Sequence, residues 1–115
     1  MENLKYVKAN EAVVRGEGSD YVIKNYITNA DSQNVSLAVS TLNGKASTTR
    51  NTKSDRLYYF FEGEAEFQFE DKVIKIEKNS TLLIPKNTKY KMSGFFKAVL
   101  VNSPAFNISD EEHFD

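Results

Sequence analysis

The order of apolar and polar residues along this chain follows the strand period far more often than the helical one. Tyr21-Val22-Ile23-Lys24-Asn25-Tyr26-Ile27 is rich in β-branched and aromatic residues, and Val35-Ser36-Leu37-Ala38-Val39-Ser40-Thr41-Leu42 alternates with a period of two. Further β-forming runs are Lys72 to Ile76, Ser80 to Ile84, Tyr90 to Met92 and Lys97 to Val101. Arg15-Gly16-Glu17-Gly18-Ser19-Asp20, Asn29 to Asn34 and Asn43-Gly44 read as breaks or turns. Pro85 and Pro104 stand where strands should stop, because proline cannot donate to a ladder. Leu4 to Val14 is mixed and accommodates either an edge strand or a turn of helix. No ten-residue window keeps a 3.6 period, so helix content is expected to be low. Eight or nine short strands at close spacing predict an all-β sandwich or barrel.

The densest stretch is Arg56 to Phe69, which holds Tyr58, Tyr59, Phe60, Phe61, Phe67 and Phe69. Its one interruption is Glu62-Gly63, where a β-hairpin is predicted, with Gly63 supplying positive φ. The first arm is bulky at consecutive positions and is expected to be buried on both faces. In the second, Ala65, Phe67 and Phe69 alternate with Glu64, Glu66, Gln68 and Glu70, so one face meets water. Strand alternation puts Arg56, Tyr58 and Phe60 on one side and Leu57, Tyr59 and Phe61 on the other.

Length and composition narrow the classes. A chain of 115 residues is expected to form one domain, residues 1–115, with an acidic tail at 107–115. A net charge of −1 gives no electrostatic reason to expect nucleic acid or an anionic membrane as partner. No apolar run approaches the roughly twenty residues of a membrane span. Met1-Glu2-Asn3-Leu4-Lys5 lacks the basic then apolar pattern of a signal peptide, and the cytoplasm is the expected location. The absence of cysteine excludes disulfides, thiolate nucleophiles and cysteine-ligated metals.

Between residues 35 and 106 the chain resembles the cupins, small jelly-roll barrels. Their first motif runs Gly, five residues, His-x-His, three or four residues, Glu, six residues, Gly, and Gly44, Arg50, Thr52, Arg56 and Gly63 stand at those intervals. Their second runs Gly, five residues, Pro, one residue, Gly, two residues, His, three residues, Asn, and those positions fall on Asn79, Pro85, Asn87, Tyr90 and Gly94. Asn79 and Asn87 are the glycine substitutes best able to take positive φ. The resemblance implies a single jelly-roll (double-stranded β-helix) barrel of two antiparallel sheets, with the Arg56 face toward its lumen. Homodimerisation is expected as well, since small cupins commonly pair through sheet faces.

The ligand positions of a cupin metal site are therefore Arg50, Thr52, Arg56 and Tyr90. Two permanent cations repel a divalent ion, and the only histidine, His113, lies in the acidic tail, so neither metal nor other cofactor is expected. Arg50 and Arg56 are read either as salt-bridge partners of nearby carboxylates or as anion-binding groups. Tyr58 and Tyr90 are read either as core tyrosines with satisfied hydroxyls or as pocket-lining acid/base groups. Three functions remain open. The first is a metal-free binder of a small polar or anionic molecule, of carboxylate or sugar-acid type, held by Arg50, Thr52, Arg56, Tyr58 and Tyr90. The second is a metal-independent sugar isomerase, epimerase or lyase using Tyr58 or Tyr90, and the third a structural or regulatory dimer whose lumen is filled by Phe60, Phe69 and Met92.

Overall fold

A computed structural model describes residues 4–115, so the reading of the extreme amino terminus falls partly on Met1 to Asn3, outside the described residues. Among the described residues, most lie in nine strands: β1 (Val13–Arg15), β2 (Tyr21–Ile27), β3 (Ser36–Lys45), β4 (Thr49–Asn51), β5 (Asp55–Gln68), β6 (Val73–Ile76), β7 (Ser80–Ile84), β8 (Lys91–Ser103) and β9 (Glu111–His113). Among the described residues the helical pieces are two three-residue 3₁₀ turns, Ala9–Glu11 and Ile108–Asp110, and no helix is long and apolar enough to cross a membrane. All pairings are antiparallel. One sheet runs β1-β2-β3-β8-β5-β6 with β7 also on β5, and a second, small sheet pairs β4 with β9. The fold is the all-β jelly roll that the strand pattern and the motif spacing predict.

β2 and β7 occupy the expected residues, whereas three expected breaks are absent. Asn43-Gly44 lies inside β3, Lys91-Met92 and the run Lys97 to Val101 belong to the single strand β8 while Tyr90 bridges to Thr49, and no hairpin forms at Glu62-Gly63. β5 instead passes straight through that point and stays paired with β8, Glu62 opposite Lys97 and Glu64 opposite Phe95, with a register shift between Phe60 and Glu62. The irregularity is a β-bulge, which inserts a residue and bends the strand without reversing it. Gly63 does take positive φ (85°), but the reason is close approach: a Cβ there would run into the Phe95 carbonyl. Gly94 answers it from β8, where a Cβ would meet the Glu64 carbonyl. Among the described non-glycine residues, positive φ occurs at Asn79 (66°) and Asn87 (67°), where asparagine relieves the usual steric penalty.

The inner face of β3, β8 and β5 is built in rungs. Ser36, Asn102 and Arg56 form the first, then Ala38, Leu100 and Tyr58, then Ser40, Ala98 and Phe60. All nine side chains are buried. Phe67 on β5 stacks on Tyr90 with ring centroids 5.7 Å apart, while Phe60 meets Phe96 edge to face at 5.2 Å. Burying each such ring stabilises the fold by about 2–3 kcal/mol. The outer face of β5 is not buried as expected, for Leu57 and Tyr59 are 42% and 44% exposed. Phe60, Phe67, Met92 and Phe96 thus pack one end of the interior solid. The other end, beyond the polar first rung, stays open.

Candidate functional site

Arg56 enters the interior from the second position of β5, two residues before Tyr58, and strand alternation aims both the same way. A guanidinium at this depth must be paired, because an unpaired buried charge costs several kcal/mol. Its Nη1 donates to the Tyr90 hydroxyl at 2.7 Å, and its Nη2 donates to Glu111 Oε1 in a salt bridge whose side chains are 6% and 7% exposed. The Tyr90 hydroxyl lies 2.9 Å from that of Tyr58. Thr49 Oγ1 donates to Glu111 Oε2 at 2.6 Å, and Asn51 Nδ2 donates to Oε1 at 3.0 Å. Tyr58, Tyr90, Arg56 and Glu111 therefore form one hydrogen-bonded chain from the solid core to the open end.

Burial by itself works against the Arg56 charge, yet Tyr90, Tyr58 and Glu111 together hold its pKa above the ordinary arginine value. Burial pushes Tyr58 well above the usual tyrosine range, with Tyr21 and Tyr90 adding to the shift. Tyr21, whose hydroxyl accepts from Ser40 Oγ at 2.9 Å, is pushed up to about 12, first by burial and then by Tyr90. Both phenols are kept neutral.

The chain ends on a cavity of about 720 Å³ whose wall includes Arg15, Tyr21, Arg56, Asn102, Glu111 and His113. Of the residues read as site residues, only Arg56 lines it. Tyr58 and Tyr90 are 0% and 1% exposed and stand behind Arg56, so they touch the cavity through its guanidinium. Arg50 and Thr52 do not face the lumen, because β4 puts Thr49 and Asn51 inward and Arg50 outward. Arg50 pairs with Glu112 (Nη2 to Oε1, 2.6 Å) and lies over the Phe114 ring, while the Thr52 hydroxyl donates to the Asp110 carbonyl. Arg15, part of an expected turn, is the second arginine of the cavity, its guanidinium 5.1 Å from the centre of the Phe106 ring.

The segment read as an acidic tail is a working part of the structure. β9 pairs with β4, Asn51 opposite Glu111 and Thr49 opposite His113, and Asp115 accepts from the Thr48 amide at 2.6 Å. Glu111 and His113 share the inward face, so the one histidine is at the cavity after all. These two do not make a metal site: Glu111 is already bonded to three donors, and among the described residues no three His, Cys, Asp or Glu side chains cluster. The donor set does not suit a resident transition metal.

Neither a protein-family model nor a curated protein sequence matches the chain. Solved structures do match in fold. Pac13 of Streptomyces, described as a nucleoside dehydratase and solved as a variant with uridine, superposes with a TM-score of 0.86 at 20% identity, covering 96% of this chain and 91% of that one. Ectoine synthase of P. lautus gives 0.79 at 14% identity over 97% and 91% of the two chains. KdgF of Halomonas sp. gives 0.75 at 12% over 91% and 99%. The chain has the cupin fold.

The raised tyrosine pKa values carry a pH dependence. A phenol titrating near 10 when unfolded and higher when folded contributes stability that is fully present below about pH 10 and is lost as pH rises toward the folded value, about 12 for Tyr21. Urea unfolding of wild type should therefore weaken across this interval, and Tyr21→Phe should weaken less steeply. Equal slopes for the two proteins would show that Tyr21 titrates alike in both states.

Proposed function

We propose that this cupin-fold protein binds a small polar or anionic molecule, of carboxylate or sugar-acid size, in the cavity bounded by Arg15 and Arg56, without a metal ion. The observation that carries the reading is Arg56 Nε. It belongs to a buried residue at the cavity wall, and it is a donor with no partner among the described residues. Leaving such a donor unsatisfied costs about 1–3 kcal/mol, which a ligand acceptor would recover. Arg15 adds the positive charge that Glu111 does not neutralise, so an anionic group is favoured near the mouth. The interior is filled only at one end, which speaks against a lumen plugged by Phe60, Phe69 and Met92.

A second reading, a metal-independent lyase, is favoured by Glu111 and His113 sharing the cavity wall and by the fold shared with the nucleoside dehydratase Pac13. In it the proton carriers at the wall are Tyr21, Glu111 and His113, and Tyr58 and Tyr90 act only by tuning Arg56. A thermal-shift screen of organic acids, sugar phosphates and nucleosides in chelator tests both. Binding at a hundredfold excess over the dissociation constant stabilises by about 2.7 kcal/mol, a rise of several degrees. Arg15→Ala should keep the fold and lose the rise for anions; an unchanged rise would remove Arg15 from the site, and product formation from any hit would favour the lyase.

We also propose a homodimer through the outer face of β3, β8, β5 and β7. Leu37, Val101, Leu57 and Leu83 form one uncharged row there and Val39, Val99, Tyr59 and Thr81 the next, with Leu83 62% exposed. Two adjoining uncharged rows, flanked by Asp55 at one end and by Lys97 and Glu62 at the other, suit the centre of a two-fold pair. Light scattering at micromolar concentration should give twice the chain mass, reduced to one chain by Leu83→Lys. A monomeric wild type would remove the proposal.

A further inference from the structure

We infer that the buried end of the cavity is shaped for a ligand edge presenting an N–H and a carbonyl side by side, as in a cyclic imide, a lactam or a carboxamide. The inference rests on the cavity being the binding site proposed above, and it names the group that would sit deepest.

Asn102 on β8 and Arg56 on β5 stand directly opposite each other in the register. Cross-strand partners send their side chains from the same face about 5 Å apart. Both residues line the cavity and are 3% and 5% exposed. Arg56 uses Nη1 on Tyr90 and Nη2 on Glu111, and its Nε–H has no acceptor; Asn102 Oδ1 has no donor. These are the two buried side-chain atoms without partners among the described residues, one a donor and one an acceptor, on adjacent strands of one polar rung.

A single ligand group that satisfies both must accept from Arg56 and donate to Asn102. An ionised carboxylate answers only the first need, since it has no proton to give, and an ammonium answers only the second. An amide edge with its N–H and C=O on the same side answers both. Charge agrees with this choice: Glu111 already neutralises Arg56, so an anion at this depth would meet a closed ion pair. A negative group elsewhere on the same molecule would face Arg15. Ser36, the third member of the rung, accepts from the Phe106 amide at 2.9 Å and so fixes that ring at the cavity wall, where the Arg56 guanidinium lies 5.8 Å from its centre.

Calorimetric titration of the full chain with uridine, 3-methyluridine and benzoate tests the inference. Uridine presents one N–H between two carbonyls, 3-methyluridine keeps the carbonyls and lacks the N–H, and benzoate offers acceptors only. Uridine should bind at least about tenfold tighter than 3-methyluridine, the loss expected when a buried acceptor is left unpaired. In Asn102→Leu that preference should vanish. Equal affinities for the two nucleosides, or binding of benzoate without uridine, would overturn the edge and leave the binding reading standing. Binding of none of the three, with no hit among the other compounds screened, would overturn both.

Discussion

Everything distinctive about this interior follows from placing a guanidinium against the end of an aromatic core. Arg56 has Tyr58 and Phe60 in line behind it and Ile84 beside it on β7, and its charge is tolerable only because Glu111 and the Tyr90 hydroxyl take two of its nitrogens. That requirement reaches far along the sequence. It explains why the chain beyond β8 returns as β9, why β4 points Thr49 and Asn51 inward to hold the carboxylate, and why one end of the jelly roll is polar and open while the other is packed solid. In a metal-binding cupin a cation is held by several ligands converging from the barrel wall. Here the cation is covalently part of β5, and Arg56 and Tyr90, at two of the positions matched to cupin ligands, bond to one another.

Much of this was legible in the sequence, and the failures have physical causes. The inward face of β5 could be read from alternation alone, and Arg56, Tyr58 and Phe60 are indeed inside. The hairpin at Gly63 was not real, because positive φ in glycine serves both for chain reversal and for two backbones pressed together, and local sequence does not separate the uses. Arg50 and Thr52 were matched by spacing to a motif, but β4 is only three residues long and its phase is set by pairing with β9, far along the chain. A shift of one residue exchanges the inner and outer sets, and Thr49 and Asn51 take the inward places.

Glu111 is the site residue that local sequence hides best. Asp110-Glu111-Glu112 looks like a solvated acidic run, and only the pairing across more than fifty residues reveals that its middle carboxylate is buried. A signal did exist: a buried arginine demands a counter-charge, and the polar alternation of Thr49 and Asn51 matches that of Glu111 and His113. His113 belongs to the same acidic-looking segment, yet it stands at the cavity wall and its Nδ1 lies 3.1 Å from Ser47 Oγ.

The coupling between Arg56 and Glu111 is the quantity on which this account stands most directly. A double-mutant cycle with Arg56→Met, Glu111→Met and the combined variant, followed by urea unfolding, measures it. Removing either charge alone should cost about 3–5 kcal/mol, because the other is left buried and unpaired, and removing both should cost markedly less than the sum of the two. Strict additivity of the two losses would contradict the account.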